Sequence, residues 1–296
     1  MLTRWVLFHV ASEQAFFSGV ACLVLAIGRS WWVKRRQARM ARNLLIGVGS
    51  VLVAASSVWL PMVAVLGLGV ISLLWVGGEA LTGRWSRRIV GGLGVAAMVA
   101  WTSVGLGELP RQLLPSIPPL GGPVLGVIGD SLTAGLDDRG EITWPAVLAA
   151  RHRVEVRNHA LAGATVASAA TQVRAVAPDE RLVLVEIGGN DLLGGTSPEL
   201  FEVGLAKLLA AVCRPGRTVI LLELPLPPGF GRFGAIQRRL AGRFGVLLVP
   251  RRVLLGVLLG EGATLDSIHL SPLGHERMAA AIWEVIRPAY GGGPVR

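Results

Sequence analysis

Val124-Leu-Gly-Val-Ile-Gly-Asp-Ser-Leu-Thr-Ala-Gly135 is the stretch whose reading decides the fold. Val124–Ile128 is a short apolar run of strand length, and Gly129-Asp-Ser131 breaks it. The serine is therefore presented at a strand's carboxyl end. The alternation continues outward from this point. Further β-rich runs lie at about 153–157, 182–187, 218–223 and 245–249. Helical stretches lie at about 144–151, 164–176, 198–213, 232–243 and 272–286, and Ser271-Pro272 suits the start of the last. Near-continuous Val/Leu/Ile strands alternating with helices predict an α/β domain on a buried parallel five-stranded sheet. Such sheets bind ligands beyond the strands' carboxyl ends. The polar motifs fall there: Gly129-Asp-Ser131 after the first strand, Asn158 to Gly163 after the second, Gly188-Gly-Asn-Asp191 after the third.

Upstream the composition changes. The 296-residue chain is 52% hydrophobic, with mean hydropathy +0.58, too apolar for an ordinary soluble domain. The excess lies in residues 1–107, read as a transmembrane region with about four spans near 10–28, 44–60, 61–77 and 89–106. The run 44–77 is broken at Trp59-Leu60-Pro61. A single helix of that length measures about 51 Å, against a hydrocarbon core of about 30 Å, so a hairpin is expected. Residues 108–123 form a Pro-rich linker, 124–290 the α/β domain and 291–296 a tail.

The net charge of +10 divides into +7 over residues 1–110 and +3 over the rest. Six basic residues sit in the first loop and three in the third, with none near Pro61. This is the pattern of topology signals, and it argues against a nucleic-acid partner. The positive-inside rule places those loops in the cytoplasm of a bacterial inner membrane and the α/β domain on the extracytoplasmic side. The first apolar run continues past Cys22 without a cleavage pattern, so it is expected to stay as a membrane segment. Cys22 and Cys213 cannot plausibly pair, so no disulfide framework is expected. The ionisable residues His9, Glu13 and Glu79 lie near span ends, which favours an anchor over a transporter. Arg238-Arg239 and Arg251-Arg252 read as solvated faces.

Ser131 needs a base to act as a nucleophile. His269, three residues after Asp266, is the candidate base, with Asp266 orienting it and stabilising its charge. Oxyanion donors are read in the backbone N–H of Ser131, in Gly163, whose missing side chain permits close approach, and in the Asn190 amide. Asp130 suits a role in holding the serine turn, and Asp191 one in ordering its loop. His152, His159 and His275 read as surface or loop residues. Asp137 and Asp138 lie in a loop near the site and are weak candidates for a cation. Nothing shows metal-ligand spacing, so no metal and no cofactor is expected.

Gly129-Asp-Ser-Leu-Thr-Ala-Gly135, Asn158-His-Ala-Leu-Ala-Gly163, Ile187-Gly-Gly-Asn-Asp191 and Asp266-Ser-Ile-His269 resemble the four motif blocks of the SGNH (GDSL-type) hydrolases. The resemblance is nearest to the bacterial thioesterase/lysophospholipase/arylesterase branch, and Glu223-Leu-Pro-Leu-Pro-Pro-Gly-Phe-Gly231 also resembles that branch. It implies a flavodoxin-like α/β/α sandwich, with Ser131, Gly163, Asn190 and His269 as signature residues and Asp266 completing the triad. The transmembrane region lies outside it. The function expected is a membrane-anchored serine esterase acting on acyl esters, lysophospholipid or other lipid-derived esters being the attractive class. A cell-envelope glycan O-acyltransferase or deacetylase uses the same triad. An anchored scaffold with a relic hydrolase domain is the non-enzymatic alternative. Protein partners are not legible in the sequence.

Overall fold

The structure, a computed structural model, describes residues 2–32, 36–81, 85–136, 140–266 and 268–291. The chain divides into two compact units: Leu2–Gln112 with Pro227–Gly231, and Leu113–Leu226 with the chain from Arg232.

The first unit is helical. Short α1 (Leu2–Ala11) is followed by α2 (Gln14–Trp32), α3 (Arg36–Ala55), α4 (Met62–Ala80) and α5 (Arg87–Glu108). The break between α1 and α2 falls at Glu13, whose φ is +71°. The first apolar helix therefore runs over 14–32 rather than 10–28. The run 44–77 is divided as expected, with α3 ending at Ala55 and Pro61 capping α4. Three segments are long and apolar enough to cross a membrane: Gln14–Trp31, Met62–Ala80 and Arg87–Gln112. The fourth expected span, near 44–60, falls on α3, which does not meet that length and composition. Its first two turns carry Arg36, Arg39 and Arg42, leaving about 18 Å of apolar helix by the usual rise per residue.

α2 and α3 cross closely. A Cβ on Gly19 would lie 2.7 Å from the Gly49 carbonyl oxygen, and one on Gly49 would lie 2.9 Å from that of Gly19. Small residues at such a crossing let helix backbones meet. Arg42 Nη1 pairs with Glu79 Oε2 at 2.7 Å, joining the start of α3 to the end of α4. Trp101 Nε1 donates to Ser72 Oγ at 3.0 Å between α5 and α4. The inner cluster is Phe16, Val20, Leu23, Ile27, Leu68, Trp75 and Trp101 among others. Leu73 and Val63, 74% and 83% exposed, stand on the outer surface of α4.

The second unit holds strands β1 (Leu125–Gly129), β2 (Val156–Asn158), β3 (Leu182–Glu186), β4 (Thr218–Leu222) and β5 (Leu247–Val249). All neighbours are parallel, in the order β2-β1-β3-β4-β5. The helices between them are α6 (Ser131–Ala134), α7 (Trp144–His152), α8 (Ala170–Ala175), α9 (Gly189–Leu193), α10 (Pro198–Val212), α11 (Gly231–Phe244), α12 (Arg252–Leu258) and α13 (Pro272–Ile286). Strand side chains alternate between two buried faces. Ile128, Val183, Val185 and Leu221 meet α10 and α11. Leu125, Val127, Leu182, Leu184 and Ile220 meet α7, α12 and α13. Burial on both faces explains why these strands read as continuous apolar runs. β2 begins later than expected because Arg153 ends α7 in the left-handed region, at φ +55°. The strand order reverses between β1 and β3, which makes their carboxyl ends a binding crevice.

Candidate active site

β1 delivers Asp130 and Ser131 to that crevice. Asp130 caps α6, its Oδ1 accepting from Leu132 N at 3.0 Å, and Ser131 opens the helix. The turn is held from several sides. Gly129 N donates to Gln172 Oε1 and Gln172 Nε2 donates back to the Gly129 carbonyl, both at 2.9 Å. Leu161 N donates to the same carbonyl at 3.1 Å. Asn158 Nδ2 donates to the Thr133 carbonyl at 3.4 Å. Thr133 Oγ1 donates to Glu186 Oε2 at 2.9 Å and accepts from Trp144 Nε1 at 3.2 Å.

Glu186, at the end of β3, is fully enclosed and hydrogen-bonded to Asp130. Burial first, then the neighbouring Asp130 charge, pushes the Glu186 carboxyl well above the usual range. Burial also lifts Asp130 to about 6, against the Leu132 N–H and Glu186 bonds that favour its charged form. Two carboxyls in one dry site hold a proton between them. Here Glu186 is the protonated donor and Asp130 the carboxylate that caps α6.

The loop before α13 carries the histidine. Asp266 Oδ1 accepts from Ile268 N at 3.1 Å and His269 N at 2.8 Å, and Oδ2 pairs with His269 Nδ1 at 2.6 Å. Leu265 N donates to the His269 carbonyl at 2.8 Å, closing the loop on itself. The His269 backbone N–H, the ring and the Ile268 N–H together hold Asp266 down at about 2. With Nδ1–H on the carboxylate, Nε2 carries the free lone pair, a tautomer assigned from the hydrogen bond. The ring's charge favours the charged form of Asp130. Among the described residues no direct hydrogen bond joins Ser131 to His269. Such bonds are often long without substrate and tighten in the reacting complex.

Two further loops complete the edge. Gly163 has φ +73°, and a Cβ there would meet nothing within 4 Å. Its glycine therefore answers to the left-handed backbone, and the space above it is open. Asn190, in α9, donates from Nδ2 to the Ala164 carbonyl at 3.0 Å, which ties its loop to that of Gly163. Asp191 does the same from below, with Oδ2 accepting from Val166 N at 2.9 Å. Gly188 caps α9 at φ +114°, where a Cβ would lie 2.9 Å from both Leu224 and Phe201. Ser131, Gly163, Asn190, Asp266 and His269 thus all stand on carboxyl-edge loops of one sheet.

Several expectations are corrected. His275 is a buried residue, not a surface one: it accepts from Trp144 N at Nδ1 (3.1 Å) and donates from Nε2 to Glu141 Oε1 (3.0 Å). It links α13 to α7 and to the loop after α6. Arg251 is 1% exposed rather than solvated. Its Nη2 pairs with Glu223 at 2.8 Å, and Arg238 Nε pairs with the same carboxylate at 2.7 Å. His159 lies in the loop after β2, as expected, half-buried against Glu180 at 2.9 Å. Asp137 and Asp138 lie outside the described residues. Gln172, Glu186 and Thr133 were not legible as site residues. Only Glu186 left a signal, as the single polar group in the apolar run Leu182–Ile187.

A serine, an imidazole held by a carboxylate, and amide donors at the rim of a parallel sheet define an acyl-transferring hydrolase of the α/β class. The GDSL-like Lipase/Acylhydrolase family matches residues 127–277, and the chain belongs to that family. It is a GDSL-type hydrolase acting on ester bonds. It is similar to the esterase TesA of Pseudomonas aeruginosa, 30% identical over 175 residues that cover 55% of this chain and 87% of that protein. It is also similar to thioesterase 1/protease 1/lysophospholipase L1 of Escherichia coli, at 34% over 133 residues, 42% of this chain and 64% of that one. The arylesterase of Vibrio mimicus is 29% identical over 160 residues, 49% of this chain and 79% of its own. A crystal structure of TesA, 30% identical, covers 56% of this chain and 99% of its own with a TM-score of 0.48. The helical unit lies outside the family match.

Proposed function

We propose that this chain is a membrane-anchored serine esterase that cleaves acyl esters through an acyl-enzyme on Ser131. The Asp266–His269 pair carries the reading: its ring nitrogen Nδ1 is committed to a carboxylate 2.6 Å away, which leaves Nε2 to act as the base. In this reading Nε2 of His269 takes the Ser131 Oγ proton as Oγ bonds to the ester carbonyl carbon. Asp266 stabilises the imidazolium that forms. The oxyanion accepts from the N–H groups of Ser131 and Gly163 and from the Asn190 amide. The ester C–O bond then breaks, and His269 returns its proton to the leaving alcohol. Water, deprotonated by the same ring, attacks the acyl-enzyme and releases the carboxylic acid.

The helical unit is the anchor. Besides the three apolar helices, α3 is read as a fourth passage, because Arg42–Glu79 holds its start beside the end of α4. That contact gathers Arg39, Arg42, Arg87 and Arg88 at one end of the bundle, the end the positive-inside rule assigns to the cytoplasm. The esterase domain then lies on the extracytoplasmic side. A tethered domain meets lysophospholipid and other lipid-derived esters directly, and the relatives' names include lysophospholipase and esterase.

The test is Ser131→Ala in the full chain in detergent, assayed on p-nitrophenyl esters from acetyl to palmitoyl. The expected loss in kcat/KM is at least about 10³-fold with the melting temperature unchanged. A variant as active as the parent overturns the nucleophile assignment. Preference for long chains supports a lipid ester, whereas acetyl-only turnover with transfer to a sugar hydroxyl replaces it with glycan O-acyl chemistry.

A further inference from the structure

We infer that the carboxyl-edge rim around Ser131 is a bilayer-docking surface, through which the domain draws its acyl ester straight from the membrane. The inference deepens the proposed esterase function and rests on its anchored reading. Among the described residues of the α/β unit, the large apolar side chains standing exposed belong to this edge, apart from Leu113 and Leu114 where the chain enters the unit. Leu136 and Ile142 follow the serine turn, Leu161 precedes Gly163, Leu193 ends α9, and Leu265 and Ile268 flank Asp266. Leu200, Val203 and Leu273 lie in the first two turns of α10 and α13, helices that leave the same edge. The opposite edge is different: Arg153, Glu155, Asp179, Arg181 and Arg214 are what it exposes. One-sided concentration of aliphatic side chains marks an interaction surface, because a soluble body scatters its exposed apolar residues.

Two observations select a lipid surface as the occupant. First, the chain between hydrocarbon and domain is short. α5 ends at Glu108, and Leu114 already lines an apolar groove with Val253, Val257, Ala281 and Val285 of α12 and α13. A domain attached that closely cannot move far from the bilayer. Second, part of the charge beside the rim is paired. Glu199 pairs with Arg232 at 2.6 Å and Glu202 with Arg239 at 2.7 Å, so these charges beside the rim are neutralised within the protein. Exposed aliphatic side chains insert at the headgroup–acyl boundary of a bilayer.

The experiment uses the full chain in phosphatidylcholine vesicles. In a Cys22→Ser/Cys213→Ser background, Leu193→Cys and, separately, Ile142→Cys carry an NBD label. Arg214→Cys on the opposite edge is the control. Each labelled protein is used only if its melting temperature matches the unlabelled chain. Doxyl-labelled phosphatidylcholine is expected to quench the two rim labels at least two-fold and to leave the control unchanged. Rim labels as unquenched as the control overturn the inference, including the case of a blue-shifted but unquenched label, which indicates cover by a second copy. Alkaline extraction separates the two levels. Release of the chain from vesicles sinks the anchored reading and the docking with it. Retention with unquenched rim labels sinks the docking alone.

Discussion

At the scale of single residues, the site depends on which nitrogen of His269 is committed. Asp266 takes Nδ1 at 2.6 Å and, through Oδ1, fixes the backbone of the same histidine. One carboxylate therefore orients both ring and main chain, which is why three residues of spacing suffice. Asp266 is half-exposed, so water can partly replace it. Asp266→Ala is expected to lower kcat by about 10- to 10⁴-fold, less than removal of the serine or histidine, read by steady-state kinetics on a soluble ester. Held at about 2, Asp266 stays ionised throughout the working range. Its folded value lies below its ordinary one, so its contribution to stability is present above about pH 4 and disappears only as pH falls through about 2. Loss of activity on mild acidification is therefore not expected to come from Asp266.

At the scale of elements, the nucleophile is positioned by neighbours of β1 more than by β1 itself. Gln172 on α8 clamps Gly129 from both sides, and Glu186 at the end of β3 holds Asp130 and Thr133. Both folded carboxyls of the Asp130–Glu186 pair lie above their ordinary values, so the folded chain binds more protons than the unfolded one there. The associated stability is complete below about pH 4 and declines as pH rises through about 6, where Asp130 loses its proton. Glu186→Gln keeps an acceptor for Thr133 and a donor for Asp130 but cannot titrate. Its melting temperature is expected to fall less than the parent's between about pH 5 and pH 8, measured by scanning fluorimetry; identical slopes would falsify the shared proton. The Gly-Asp-Ser turn was legible in the sequence because a strand ending in glycine is a local pattern. Its supports were not, because Gln172 and Glu186 reach it across 43 and 56 residues of chain.

At the scale of the whole molecule, charge and hydropathy divide the chain as the units do. The helical unit ends at Gln112 and the α/β unit starts at Leu113, inside the stretch read as a linker. The span count was less legible. α3 is helical over most of 44–60, yet Arg36, Arg39 and Arg42 occupy its first turns, and only the Arg42–Glu79 pair shows where they gather. The proposed topology predicts that protease added to intact spheroplasts digests the esterase domain and leaves the helices. A domain digested only after lysis places it in the cytoplasm and reverses the orientation.

By itself the sequence determined what is local: the strand–helix alternation, the apolar helices, and the four short motifs whose residue types name the chemistry. These follow from periodicity and from groups only a few residues apart. The tertiary structure decided what is not local. It buried His275 and Arg251, paired Glu186 with Asp130, and brought the loops of Asn158, Asn190 and His269 to the edge where β1 and β3 part. Those outcomes depend on which strands lie side by side, and the order β2-β1-β3-β4-β5 is set by packing across the sheet, a quantity no window of sequence contains.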